Sequence, residues 1–196
     1  QILLELPSFE SAITHFGGAL HVGNDNHLYI AIGDNQFPPN AQNLTNPFGK
    51  ILRIGLDGSV PSDNPFVNVP GAMQEIWAYG LRNPFSTAYD PMTNRFYIND
   101  VGSAGWEEIN LGAAGANYGG PNPSGANANY TNPLYAYSHA EGCAITGGTF
   151  YNPGNFAPGA ALFPAQYHQK YFFTDYCSGW IKVYDPATGV ISDCGL

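Results

Sequence analysis

The sequence predicts an all-β protein, more specifically part of a β-propeller, because of its composition and a repeated segment. Among its 196 residues are 24 glycines and 16 prolines; 14% of the chain is aromatic and 11% is charged. Turns rich in glycine and proline suit short strands, whereas long helices favour charged helix formers that are scarce here. The hydrophobic share of 44% can form a buried core, which excludes a disordered chain.

The repeated segment is a short apolar run with aromatic residues, preceded by a polar turn and followed by an acidic residue. It occurs three times, at 27–34, 95–102 and 170–176. Each run is too short for a stable helix and is rich in β-forming residues. Each is therefore predicted to be a buried strand.

A second strand is predicted after each run, and each of these strands ends at a turn. They span 50–56, 107–111 and 180–184, and the first ends at Asp57-Gly58, a strong hairpin signal. A loop over 35–49 separates the two strands of the first repeat. Antiparallel strands that recur at a spacing of about 70 residues predict propeller blades, with two tandem small β-domains as the alternative.

The repeats supply about three blades, whereas propellers usually contain four to eight. An open arc of blades leaves strand edges exposed. We therefore expect residues 1–196 to form a single partial propeller that is truncated at both ends. The remaining blades of a longer chain, or a homo-oligomeric partner, would complete the ring.

The charge of the chain excludes some classes of partner. Fifteen acidic residues against six Lys and Arg give a net charge of −9. Nucleic acids and anionic membrane surfaces are bound by clustered basic residues, so neither is an expected partner. No apolar run approaches the roughly 20 residues that span a bilayer, so no membrane span is expected.

Two motifs carry groups that are suited to catalysis or ligand binding. His15 precedes Gly17 and Gly18, where the backbone is open to close approach by a ligand, and histidine is a natural general base. Arg82 and Asn83 lie in a glycine- and proline-containing loop, where the guanidinium could grip a carboxylate or quinone oxygens. The alternatives are an ordinary loop histidine and a surface turn.

A third motif, at 100–110, suits calcium. It is a glycine-rich loop flanked by Asp100 and by the pair Glu107 and Glu108. Calcium binds carboxylate and backbone carbonyl oxygens, and such a loop can supply both. A solvated acidic loop is the alternative.

In their order and spacing, these motifs resemble the glucose/sorbosone dehydrogenase family of six-bladed propellers that use pyrroloquinoline quinone (PQQ) and calcium. The resemblance covers roughly residues 10–125 and is looser beyond. The resemblance is seen in eight stretches that occur in the same order as in the family, namely 15–20, 32–34, 49–53, 56–59, 82–84, 100–102, 107–110 and 117–121. It implies an all-β fold with about three blades of a six-bladed ring.

The resemblance also implies a reaction, with PQQ as the cofactor. An aldose sugar would be oxidised at C1 to the lactone, and the electrons would pass to an external acceptor. His15 matches the base that takes the proton from the C1 hydroxyl. Arg82 and Asn83 match residues that hold and polarise the quinone oxygens.

Calcium (Ca²⁺) is the second cofactor that the resemblance implies. The backbone carbonyls of Gly102 and Ser103 match those that hold the ion beside the cofactor. Glu108 and the carbonyl of Tyr118 match a second, structural calcium site.

The three cysteines indicate the cellular compartment in which the protein is expected. Cys143, Cys177 and Cys194 lack metal-binding spacing, so one disulfide with a free thiol is the simplest interpretation, and three buried thiols are the alternative. The resemblance implies that Cys143 pairs with Cys177. A disulfide indicates an oxidising compartment, so a periplasmic or extracellular location is expected.

Some positions depart from the family pattern. Thr14 stands where members can have an aspartate, Phe85 where they can have a glutamine, and 176–179 contains no lysine. The hedgehog-interacting-protein-like branch shares the propeller but consists of binding proteins. The alternative function is therefore a non-catalytic extracellular propeller that binds protein or carbohydrate.

Overall fold

The computed structural model describes residues 1–8, 12–90, 92–103, 105–120, 129–155, 159 and 162–195. These residues form three four-stranded antiparallel sheets, in each of which consecutive strands are neighbours. The first sheet contains β1 (Gly17–Val22), β2 (His27–Ile32), β3 (Lys50–Gly55) and β4 (Ile76–Tyr79). The second contains β5 (Pro84–Asp90), β6 (Arg95–Asp100), β7 (Trp106–Leu111) and β8 (Tyr135–Ser138). The third contains β9 (Ile145–Phe150), β10 (Tyr171–Asp175), β11 (Ile181–Tyr184) and β12 (Ile191–Asp193).

The three sheets confirm the predicted all-β class and the three repeats. The repeated apolar runs form β2, β6 and β10, the second strand of each sheet, and the strands predicted after them form β3, β7 and β11. Short 3-10 helices occupy Pro38–Gln42, Pro153–Asn155 and Ala165–Tyr167. No helix among the described residues is long and apolar enough to cross a membrane.

The sheets are stacked on one another through their first strands, since β5 contacts β1 on one side and β9 on the other. Strand β6 shows how the stacking arises from the sequence. Alternate residues of a strand point to opposite faces, so Phe96 and Ile98 pack toward the first sheet while Tyr97 packs toward the third. The ring of Tyr97 lies 4.9 Å from that of Tyr171 in β10. Burial on both faces explains why three apolar residues, 96–98, follow one another in this strand.

A disulfide between Cys143 and Cys177, with a Cα–Cα distance of 5.6 Å, confirms the expected pairing. It joins the segment before β9 to the turn after β10. Cys194 is a free, half-buried thiol that packs against an aromatic cluster of the third sheet.

The loop over 35–49 is fastened to the first sheet by a buried lysine. Lys50 begins β3 and is 0% exposed. Its ammonium group donates to the carbonyl oxygens of Asn40 at 2.7 Å, Ala41 at 3.2 Å and Phe48 at 2.6 Å. It forms no ion pair within the described chain. Desolvation by burial lowers the pKa of Lys50 to about 7.

Replacing Lys50 with methionine should change how stability depends on pH. Below pH 7 both the folded and unfolded wild type hold this proton. Between pH 7 and about 10, the folded state releases it while the unfolded chain keeps it, so rising pH favours the folded state by up to about 1.4 kcal/mol per pH unit. Urea unfolding at pH 6 and pH 9 should therefore show wild type gaining stability relative to Lys50→Met. Parallel pH profiles of the two proteins would contradict this, and Lys182→Met, at a lysine paired with Glu141, is the control.

Candidate active site

A cavity of about 90 Å³ lies where the first and second sheets meet, at one end of their strands. Five of the seven site residues named from the sequence line it, namely Arg82, Gly102, Ser103, Glu108 and Tyr118. They come together because β2 and β6 end at the same edge and the link before β5 crosses between them. The cavity is smaller than a typical small-molecule site of 300–1,000 Å³.

His15 lies beside the cavity and is paired with Asp34, which lines it. The His15 Nδ1 atom is 2.7 Å from Asp34 Oδ1, which also accepts the Gln36 N–H at 2.9 Å. Since an ionised carboxylate only accepts hydrogen bonds, Nδ1 carries the proton and Nε2 is left with the lone pair. The geometry therefore makes His15 Nε2 available as a proton acceptor.

Arg82 and Asn83 are oriented by a second buried carboxylate. The Asp100 side chain accepts the backbone N–H of Arg82 at 3.0 Å and that of Asn83 at 2.6 Å. The Arg82 guanidinium donates from Nη1 to the carbonyl of Val101 at 2.8 Å. The amide oxygen of Asn83 accepts the Gly17 N–H at 3.2 Å, which ties this segment to the one that carries His15.

The oxygen atoms near Glu108 suit a calcium ion. Burial and the neighbouring charge of Glu108 raise the pKa of Asp100 to about 8, although two backbone N–H groups favour its carboxylate form. The Asn110 amide donates to Glu108 at 3.2 Å, yet its own oxygen is buried without a partner in the described chain. A cation would relieve the repulsion and occupy the free acceptor.

Side chains alone do not complete such a site. Within the described ranges, no three His, Cys, Asp or Glu side chains are grouped closely enough to hold a metal. Calcium would therefore need carbonyl oxygens as well. Gly102, Ser103 and Tyr118, whose carbonyls the family resemblance implies as ligands, line the cavity. Ala104 and Pro121, at the edges of these motifs, lie outside the described residues.

Glu107 is a further buried carboxylate that the sequence presented only as a member of the acidic loop. It accepts hydrogen bonds from Gly102 N–H at 3.2 Å, His139 Nε2 at 2.9 Å and Ile145 N–H at 3.0 Å. Burial raises the pKa of Glu107, and the three donors act in the opposite direction. His139 is thus bonded to Glu107 and does not line the cavity.

Taken together, the fold and site define a β-propeller with a polar pocket at one end of its blades. The pocket combines a histidine–aspartate pair, an arginine and several oxygen ligands. The chain belongs to the glucose/sorbosone dehydrogenase family, whose family model matches residues 1–178. This confirms the resemblance seen in the motifs.

Relatives of known name agree with this membership. The chain is 40% identical to the aldose sugar dehydrogenase YliI of Escherichia coli over 120 residues, which cover 61% of this chain and 32% of the relative. It is 35% identical to quinoprotein glucose dehydrogenase B of Acinetobacter calcoaceticus over 63% of this chain and 29% of that one. Human Hedgehog-interacting protein also matches, with 31% identity over 43% of this chain and 14% of the relative.

Among solved structures, the soluble aldose sugar dehydrogenase of Escherichia coli, in its apo form, superposes with a TM-score of 0.79 at 32% identity. The match covers 93% of this chain and 54% of that structure. The chain thus spans about a third of the length of the two curated dehydrogenases and about half of the solved structure. The all-β architecture is therefore that of a partial propeller.

Proposed function

We propose that the protein acts as a PQQ- and calcium-dependent dehydrogenase that oxidises an aldose sugar at C1 to the lactone. The observation that carries this proposal is the His15–Asp34 pair beside a pocket lined by Arg82 and by oxygen atoms suited to calcium. The names of the aldose sugar and quinoprotein glucose dehydrogenase relatives support the reaction class.

In this proposal each residue has a role that follows from its contacts. His15 Nε2 takes the proton of the C1 hydroxyl, and Asp34 holds Nδ1–H and stabilises the imidazolium that results. PQQ, when bound, supplies the acceptor for the hydride that leaves C1. The Arg82 guanidinium and the Asn83 side chain would hold the quinone oxygens.

The calcium ions would be held by the other named residues. The carbonyls of Gly102 and Ser103 would bind the ion beside the cofactor, while Glu108 and the carbonyl of Tyr118 would bind a structural ion. A bound cation would lower the pKa of Asp100 and so keep its contacts with Arg82 and Asn83 in the charged form.

Titration with PQQ tests the proposal directly. In millimolar calcium, the absorbance of the cofactor should change along a saturable curve, and EDTA should abolish that change because the carbonyl loop would no longer present the metal. An aldose should then reduce the bound cofactor. Absence of calcium-dependent binding would contradict the proposal.

A second candidate is a non-catalytic extracellular propeller that binds protein or carbohydrate. It is favoured by the lack of a lysine in 176–179 and by Phe85, which lies two residues after Asn83 and is 47% exposed. The match to Hedgehog-interacting protein supports it as well. Calcium binding with no affinity for PQQ would favour this candidate.

The cellular setting is proposed on the same basis. The Cys143–Cys177 disulfide supports a periplasmic or extracellular location, where such bonds persist. The proposed partners are the sugar, an external electron acceptor, and the remaining propeller blades or a second copy of the chain.

A further inference from the structure

We propose that Glu107 is the positioning residue of the calcium loop, setting the direction of the Gly102 carbonyl and linking it to both Arg82 and the third sheet. This inference rests on the proposed function, because it assigns Glu107 an effect on the affinity for calcium. Glu107 does not line the cavity and would not touch the ion.

The first argument is the set of donors around Glu107. The side chain is 0% exposed, and each carboxylate oxygen accepts a different backbone N–H. Oε1 accepts from Gly102, in the loop, and Oε2 accepts from Ile145, the first residue of β9. One carboxylate therefore connects the loop of the second sheet to the first strand of the third.

The second argument concerns the peptide group between Val101 and Gly102. Its N–H is bonded to Glu107 at 3.2 Å, and its carbonyl accepts from the Arg82 guanidinium at 2.8 Å. A peptide group held at both ends is restrained from rotating, which limits the directions in which the next carbonyl, that of Gly102, can point. The same peptide couples Glu107 to the guanidinium that would hold the quinone.

The third argument is that only a carboxylate suits this position. Both backbone partners are donors, and His139 Nε2 lies 2.9 Å from Oε1 as a third potential donor. Glutamine has nearly the same shape but presents an NH₂ group in place of one oxygen. Whichever way the amide is turned, one backbone N–H faces another donor.

The experiment compares Glu107→Gln with Glu141→Gln in the whole protein. Glu141 is a partly exposed carboxylate that pairs with Lys182 at 3.0 Å, so its substitution makes the same change of charge away from the cavity. Glu107→Gln should weaken calcium binding by about 10- to 100-fold, the range for residues that orient metal ligands. Glu141→Gln should bind calcium like the wild type.

Saturating calcium separates positioning from general damage. In Glu107→Gln, PQQ affinity should return to within about 2-fold of wild type once calcium is saturating, because the cofactor contacts themselves remain. Unchanged calcium affinity would overturn the inference, as would a loss of PQQ binding that calcium does not restore. A wild type that binds no calcium would instead contradict the proposed function, and this inference with it.

If the variant does not fold, hydrogen exchange in the wild type tests the connection that Glu107 makes between the Gly102 loop and Ile145. Calcium should slow exchange at the amides of Gly102 and Ile145 together, since one carboxylate holds both. The adjacent Ala144 amide is bonded to Asp175 instead and serves as the control. Slower exchange at Gly102 with no change at Ile145 would overturn the inference.

Discussion

Replacing His15 with alanine should lower turnover of aldose sugars by about 10²- to 10⁴-fold, the usual contribution of a general base. The imidazole is the group whose Nε2 can accept the C1 proton, because Nδ1 is committed to Asp34 at 2.7 Å. Alanine keeps the backbone but removes the proton acceptor. Steady-state kinetics and PQQ titration of the same preparations would show the loss of kcat with cofactor affinity nearly unchanged.

His21→Ala is the matched control for this variant. His21 lies in β1, shortly after His15 in the sequence, but its Nε2 atom is 2.9 Å from the carbonyl of Thr87 and it does not line the cavity. Its removal should leave kcat close to that of the wild type. If His15→Ala retained full turnover, the proposed role of His15 as the base would be wrong.

Replacing Gly102 with alanine should both destabilise the protein and abolish calcium binding at physiological concentrations. A Cβ atom at this position would overlap the carbonyl oxygen of Trp106, the first residue of β7. Because that carbonyl is backbone, the loop must move, at a cost on the order of 3 kcal/mol. The movement would redirect the Gly102 carbonyl away from the ion.

Gly105→Ala is the control for Gly102→Ala, because it makes the same substitution in the same loop. A Cβ atom there would meet no other atom within 4 Å, and the residue does not adopt a positive φ. Thermal unfolding and calcium titration should therefore separate the two variants clearly. Equal stability and equal calcium affinity of the two would show that the close approach at Gly102 is unimportant.

Much of the fold could be predicted from the sequence because its blades repeat. The runs that form β6 and β10 are almost fully buried, and the run that forms β2 is half-buried to buried, so all three keep a strong apolar signal in the sequence. The first strands are harder to see. Strand β1 (Gly17–Val22) contains two glycines and alternates between half-buried and exposed residues, so its apolar pattern is weak.

The site was predicted less completely, because hydrogen bonds between residues that are far apart in the chain leave little signal in the sequence. The acidic residues that close the three repeats, Asp34, Asp100 and Asp175, were visible as a pattern. Their shared role, accepting backbone N–H groups at the ends of the second strands, became apparent only in the structure. The repeat itself was the signal that could have revealed it.

Buried charges were the features that sequence reasoning missed. Lys50 and Glu107 are ordinary polar residues in the sequence, at the start of one strand and within another. Whether such a side chain points to solvent or inward depends on which sheet covers it. That packing is set by residues far along the chain, as the contact between Glu107 and Ile145 illustrates.

Because each sheet is built from four consecutive strands, every strand pairing of the described chain lies within one blade. Each blade can thus form as a cooperative unit of its own. The pocket cannot form within a single blade, because Asp34 comes from the first blade and Asp100 from the second. Its assembly must wait until two finished blades dock. Binding competence should therefore appear late in folding and be the first property lost when neighbouring blades separate.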